Sequence, residues 1–249
     1  MKIGIIGLGL IGGSIFKDLI RLGYDVIGVS KSQSGKNIFK EYSALKDCNM
    51  IFVCTPMNKT LKALDELENI VSNDTVVTDV CSLKEFVCHK KRPYKFIPSH
   101  PMAGTEKKGF ENSFEGLFEG VKWIITPIYG HDLKLVDIIK KMGAIPIETT
   151  PKEHDKAVAL ISHMPMLISQ AIYKTAEENK LALEIASSGF RDMTRLAMTN
   201  EEMANDMITM NAKNIENSVL KLYKSIGDLT NSNYLEQITE IKSNRQKMF

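Results

Sequence analysis

Three short stretches of this chain place reactive side chains at spacings that chemistry uses. The first is GLGLIGGS, which sets Gly7, Gly9 and Gly12 in a GxGxxG pattern between the apolar run KIGII and amphipathic text. In that strand-to-helix context Gly7 permits a tight turn, Gly9 lets the backbone approach a pyrophosphate, and Gly12 allows a helix to pack close to a strand. The loop Gly7, Leu8, Gly9, Leu10, Ile11, Gly12 therefore reads as a dinucleotide cradle, with a helix N-terminus offering free N–H groups. The second stretch is SHPMAGTEKKGFE, where His100 follows the strand-like KFIP. A histidine at a strand end titrates near neutral pH and suits proton transfer. The third is GFRDMTRLA, with Arg191, Asp192 and Arg195. Arginine suits bidentate capture of a carboxylate, although the spacing of Asp192 and Arg195 equally describes an ion pair on a helix surface.

Two kinds of text must hold these groups. Up to about residue 150, the short β-branched runs KIGIIG, DVIGV, MIFVCTP, TVVTDV, KFIPSH, KWIITP and AIPIET alternate with amphipathic stretches. That rhythm predicts a largely parallel sheet covered by helices. From Pro151 onward no strand is expected. Val158, Ile161, Leu167, Ile168 and Ala171 recur at helical spacing, as do Ile215, Val219, Leu222 and Ile226. Pro165 should kink or split its helix. The expected fold is α/β: an N-terminal Rossmann-type, doubly wound parallel sheet over 1–150, followed by an all-α domain over 151–249.

In such sheets ligands gather beyond the carboxyl ends of the strands. Those positions here hold Thr55 and Pro56 after MIFVC, then Ser82 and Lys84 after TVVTDV, then His100, and Ser82 and His100 should converge on one rim. After DVIGV come Ser30, Lys31 and Ser32, with no acid between Asp25 and Glu41. An acid there accepts hydrogen bonds from a ribose 2′-hydroxyl and repels a 2′-phosphate. Two hydroxyls and an ammonium suit a phosphate instead, so NADP is favoured over NAD. The bland alternative is a serine-rich surface loop that ignores the ribose.

Composition removes several classes. With 32 basic against 30 acidic residues the net charge is +2, far from the basic field of a nucleic-acid binder. No apolar stretch approaches the ~20 residues of a membrane span. The apolar N-terminal text continues into KDLIRLGYDV with no cleavage site, so no leader is expected. Cys48, Cys54, Cys81 and Cys88 lack metal-ligand spacing. They read as reduced thiols of a cytoplasmic protein with no metal site.

GLGLIGGS, the Asp79–Ser82–Lys84 grouping, HPMAGTEKKGFE, LFEG with Trp123 and Pro127, HDKAVALISHMP and GFRDMTRLA follow one another across most of the chain. In this the sequence resembles the prephenate and arogenate dehydrogenases of tyrosine biosynthesis. The resemblance implies oxidative decarboxylation of a cyclohexadiene carbinol, with hydride passing to NADP or NAD. It implies His100 as the base at the ring hydroxyl, Ser82 as the group orienting it, and Arg195 on a substrate carboxylate. Arg191, Thr105 and His163 are implied near the substrate, and a homodimer through the helical half. Two positions depart from the family: Met166 stands where a second histidine is frequent, and Ala204 where a tryptophan is frequent. A β-hydroxyacid dehydrogenase is a weaker reading, since its lysine-bearing helix pattern is missing. A nucleotide sensor without catalysis has no use for Ser82, His100 and Arg195 together.

Overall fold

The computed structural model of the chain describes residues 1–105, 107–231 and 233–248. Its first half builds a six-stranded sheet from β1 (Lys2–Ile6), β2 (Asp25–Val29), β3 (Ile38–Phe39), β4 (Met50–Val53), β5 (Val76–Asp79) and β6 (Lys95–Phe96). The spatial order is β3-β2-β1-β4-β5-β6 and every pairing is parallel. Helix α1 (Leu10–Arg21) joins β1 to β2, and α2 (Met57–Leu67) joins β4 to β5. The two-residue β3 was not expected; too short to carry a periodicity, it closes the edge beside β2.

Strand alternation divides the core. Ile3, Ile5, Met50, Phe52 and Val76 face one side with Ile15 and Leu19 of α1. Ile6, Ile51, Val53 and Val77 face the other, with Leu64 and Leu67 of α2. Successive side chains point to opposite faces of a strand, so burial on both faces demands the near-continuous apolar runs that were read as strands.

The strand text KFIPSH divides between two sheets. Pro98 offers no N–H for a ladder, and the run divides into β6 and a separate strand, β7 (Ser99–Pro101). This strand pairs antiparallel with β8 (Lys122–Ile125), which pairs parallel with β9 (Ile145–Glu148) after helix α3 (Leu133–Lys141). Trp123 and Ile125 of this small sheet join the core on the α1 side.

Beyond residue 150 the described residues are helical: α4 (Pro151–Val158), α5 (Met164–Ala176), α6 (Lys180–Glu184), α7 (Ser188–Thr194), α8 (Glu201–Met210), α9 (Ala212–Asn231) and α10 (Tyr234–Met248). Pro165 does not break the chain's helical path. The turn before it, Ala159–His163, opens into a π-helix between α4 and α5. A wider turn makes room for a residue that lacks an N–H and crowds the preceding carbonyl.

Candidate active site

The glycine loop lies at the point where the sheet order reverses, since β1 pairs with both β2 and β4. Gly7 has φ +87°, and a Cβ there would come 2.7 Å from the Cys54 carbonyl oxygen. A Cβ on Gly12 would meet the Gly7 carbonyl oxygen at 2.0 Å, so helix and strand touch through bare backbone. A Cβ on Gly9 would meet nothing within 4 Å. That open approach, with an α1 N-terminus that carries no side-chain cap and no acid in its first turn, fits a pyrophosphate. Leu8 instead turns its side chain into the core over Gly28, so only its backbone faces the cradle. Thr55 Oγ1 bonds Thr60 Oγ1 at 2.9 Å, fixing the turn into α2 across the crevice.

The loop after β2 is folded rather than loose. Ser30 is buried, and its Oγ accepts the Gln33 N–H at 3.1 Å and lies 3.4 Å from Ser32 Oγ. Lys40 Nζ donates to the carbonyls of Lys31 at 3.1 Å and Gln33 at 2.7 Å. Lys31 stays exposed, and Lys40 brings a second ammonium to the same turn. Nothing local marked Lys40, which stands nine residues from Lys31 and seven from Gln33.

His100 is carried by β7, and Ser99 moors that strand to the end of β5. Ser99 Oγ donates to the Asp79 carbonyl at 2.9 Å and lies 2.8 Å from Thr78 Oγ1. Trp123 Nε1 donates to Ser99 Oγ at 3.0 Å. Lys84, fully buried, bonds the Asp79 carboxylate and donates to the Ser99 carbonyl at 2.6 Å. Asp79 also accepts from the backbone N–H of Cys81 at 2.9 Å and of Ser99 at 3.3 Å. A strand of one sheet is thereby pinned to the carboxyl edge of another.

The ring contact of His100 comes from a residue that sequence reasoning missed. His100 Nδ1 lies 2.9 Å from Nε2 of His154, with the rings edge to face. His154 Nδ1 in turn lies 2.7 Å from Asp155 Oδ1. Asp155 also accepts the N–H groups of Lys84 at 2.8 Å and Glu85 at 2.9 Å, docking α4 against the turn that follows β5. Burial first, and then the neighbouring His154, Lys84 and His163, hold His100 well below the usual histidine range. His100 is therefore neutral near pH 7, with part of its surface still open.

The helical half distributes the remaining residues unevenly. His163 is buried, with Nδ1 3.2 Å from Asn211 Nδ2. Burial pushes its pKa down to about 4. The same Asn211 amide donates to the Asp155 carbonyl at 2.9 Å, so His163 sits behind the His154–Asp155 pair. Met166 and Ala204, the two departures from the family, fall in one apolar cluster with Met57, Cys81, Leu83 and Met207. Thr105 is exposed and accepts the Lys107 N–H at 3.2 Å; Glu106 of HPMAGTE lies outside the described residues. Arg191 and Arg195 are exposed. Asp192 meets Arg191 at 4.0 Å rather than forming the i,i+3 pair with Arg195.

A parallel six-stranded sheet with a glycine cradle at its switch point, joined to a helical second half, defines a two-domain nucleotide-binding protein of the Rossmann kind. Residues 29–148 match the prephenate dehydrogenase nucleotide-binding domain, and 150–241 match the prephenate dehydrogenase dimerization domain. The chain belongs to the prephenate dehydrogenase family. It is 30% identical to a prephenate dehydrogenase of Bacillus subtilis, over 84% of this chain and 64% of that protein's length. Among solved structures, a Synechocystis arogenate dehydrogenase superposes with a TM-score of 0.86 at 32% identity, covering 100% of both chains. A prephenate dehydrogenase from A. aeolicus, in complex with hydroxyphenyl propionate and NAD+, gives 0.88 at 26% identity, over 100% of this chain and 98% of that one.

Proposed function

We propose that the protein oxidatively decarboxylates prephenate to 4-hydroxyphenylpyruvate, as an oxidoreductase of tyrosine biosynthesis. The observation that carries this reading is a histidine, His100, on a strand that Ser99 moors to the end of β5 and whose ring His154 contacts. When bound, the nicotinamide cofactor supplies the hydride acceptor. His100 takes the proton of the ring hydroxyl as the carbinol becomes a carbonyl. Loss of carbon dioxide from the opposite ring carbon sends its electron pair into the ring, and His100 returns the proton to the phenolic oxygen. Ser82 orients the hydroxyl, and Arg195 receives a carboxylate, with Arg191 and Thr105 flanking the substrate; His163, expected there, is instead buried behind the His154–Asp155 pair. Wild-type enzyme should reduce cofactor rapidly with prephenate and release one carbon dioxide per turnover. Arogenate as the sole substrate would favour the second reading, which the likeness to the Synechocystis enzyme supports. Inertness toward both sinks the proposal.

The cofactor reading is NADP over NAD. Lys31 and Lys40 bring two ammonium groups to a turn that carries Ser30 and Ser32 and no acid. Lys31→Ala should weaken NADP by ~1–3 kcal/mol, the scale of a charge-assisted bond, and leave NAD nearly unchanged. Comparing kcat/KM for the two cofactors checks this, and equal losses or a wild-type preference for NAD would refute it.

A homodimer through the helical half is the further part of the proposal. Leu220, Tyr223 and Ile226 of α9 and Leu235 of α10 are 60%, 77%, 52% and 79% exposed in the single chain. Apolar surface of that extent on successive helix turns is characteristic of a protein interface. Sedimentation should give twice the 27.9 kDa of one chain, and a monomer at micromolar concentration would contradict it. Four free cysteines support a reducing, cytoplasmic setting.

A further inference from the structure

The hydrogen bonds around His100 form one chain that runs from Asp155 through His154 to His100. Backbone N–H groups only donate, so Asp155 is the acceptor from Lys84 at 2.8 Å and from Glu85 at 2.9 Å. A carboxylate already accepting twice is the acceptor in its third bond too, and His154 Nδ1 therefore carries a hydrogen toward Asp155 Oδ1 at 2.7 Å. With both rings neutral, each imidazole has one N–H and one lone pair. In that state His154 Nε2 is a lone pair, and the 2.9 Å contact takes its hydrogen from Nδ1 of His100. The lone pair on His100 Nε2 is left for the substrate.

We propose that His154 is a proton-relay and positioning residue, supplied by the helical half to the base of the other half. As the substrate O–H bond breaks, an N–H bond forms at His100 Nε2, and the Nδ1 hydrogen of His100 passes to His154 Nε2. The positive charge then rests on an imidazolium paired with the Asp155 carboxylate. When carbon dioxide has left, the phenolic oxygen takes the Nε2 hydrogen back and the two transfers reverse, so no proton is gained or lost and no redox change occurs on the protein. The surroundings favour this direction. The charged groups facing His100 include Lys84, His154 and His163, all cationic when protonated, and Lys84 is already committed to Asp79. His154 is 2% exposed and carries a carboxylate on its far nitrogen.

The relay rests on the proposed reaction, and its test separates the two. His154→Gln keeps an amide oxygen where Nε2 stood, so His100 is still oriented, but an amide does not take up a proton. With prephenate and NADP, kcat should fall ~10²-fold, the scale of general acid–base assistance, while both KM values hold within about threefold. Long-range ¹H–¹⁵N spectra of the free wild-type protein should find His100 and His154 both in the Nδ1–H tautomer, a readout independent of turnover and of any variant's folding. A His154→Gln kcat within about threefold of wild type, or the Nε2–H tautomer on His100, overturns the relay. Wild-type protein inert toward prephenate and arogenate removes the reaction itself, and with it the relay, whichever tautomer the spectra find.

Discussion

Replacing His100 with asparagine will lower kcat by roughly 10²–10⁴-fold, the usual worth of a positioned general base, while prephenate and cofactor still bind. The asparagine amide reaches the place of Nδ1 and can donate to His154 Nε2, the 2.9 Å partner of the native ring. Nothing remains at the position of Nε2, so the substrate hydroxyl loses its acceptor but the pocket keeps its shape. Steady-state kinetics on the variant check this, and near wild-type turnover would remove His100 from the base role. The pH dependence follows from the same surroundings. Burial, His154, Lys84 and His163 favour the neutral ring, so kcat/KM should stay level as pH falls through 6.5 and decline only well below it. Stability moves the other way. The unfolded chain takes up a proton at an ordinary histidine pKa of about 6.5. His100 and His163 in the fold do not, so stability is lost as pH drops below that value.

Much of this site was legible because its signals are local. Gly7 and Gly12 each state a backbone requirement that the structure meets, and GLGLIGGS sits between strand and helix as its pattern demands. The strand candidates all formed strands, and in β1, β2, β4 and β5 burial on both faces leaves a dense apolar record. What could not be read depends on elements meeting. The order of short strands says nothing of their direction, so the antiparallel β7 and the second sheet emerge only in three dimensions. His154 and Asp155 open HDKAVALISHMP, a segment that carried the resemblance without giving either residue a role. They acquire a role only when α4 docks on the turn after β5. Lys40 likewise reaches back across its turn to two carbonyls, a contact with no signature in spacing. Arg195 shows the opposite case: its motif is specific, yet in the single chain it lies exposed among Met193 and Met198, both largely uncovered.

Lys84→Met should be among the most destabilising substitutions in the chain. Lys84 and Asp79 are both 0% exposed, and the ammonium bonds the carboxylate as well as the Ser99 carbonyl. Methionine fills the space but supplies no donor. Asp79 would keep only the N–H groups of Cys81 and Ser99, and a buried carboxylate stripped of its counter-charge costs about 3–5 kcal/mol. For a chain of this size each kcal/mol lowers Tm by about 2–4 °C, so thermal melts will resolve the loss. The pair's own net worth is a separate quantity, because both charges had to leave water to form it. Lys84→Met combined with Asp79→Leu should therefore recover much of the stability lost by Lys84→Met alone. Activity should not recover with it. The Ser99 carbonyl would still lack its donor, and Ser99 moors the strand that carries His100. A double variant both stable and fully active would show that β7 is held at the edge of β5 by Ser99, Thr78 and Trp123 without the lysine. A Lys84→Met variant within about 1 kcal/mol of wild type would show that Asp79 finds other compensation, in the range of an ordinary surface pair.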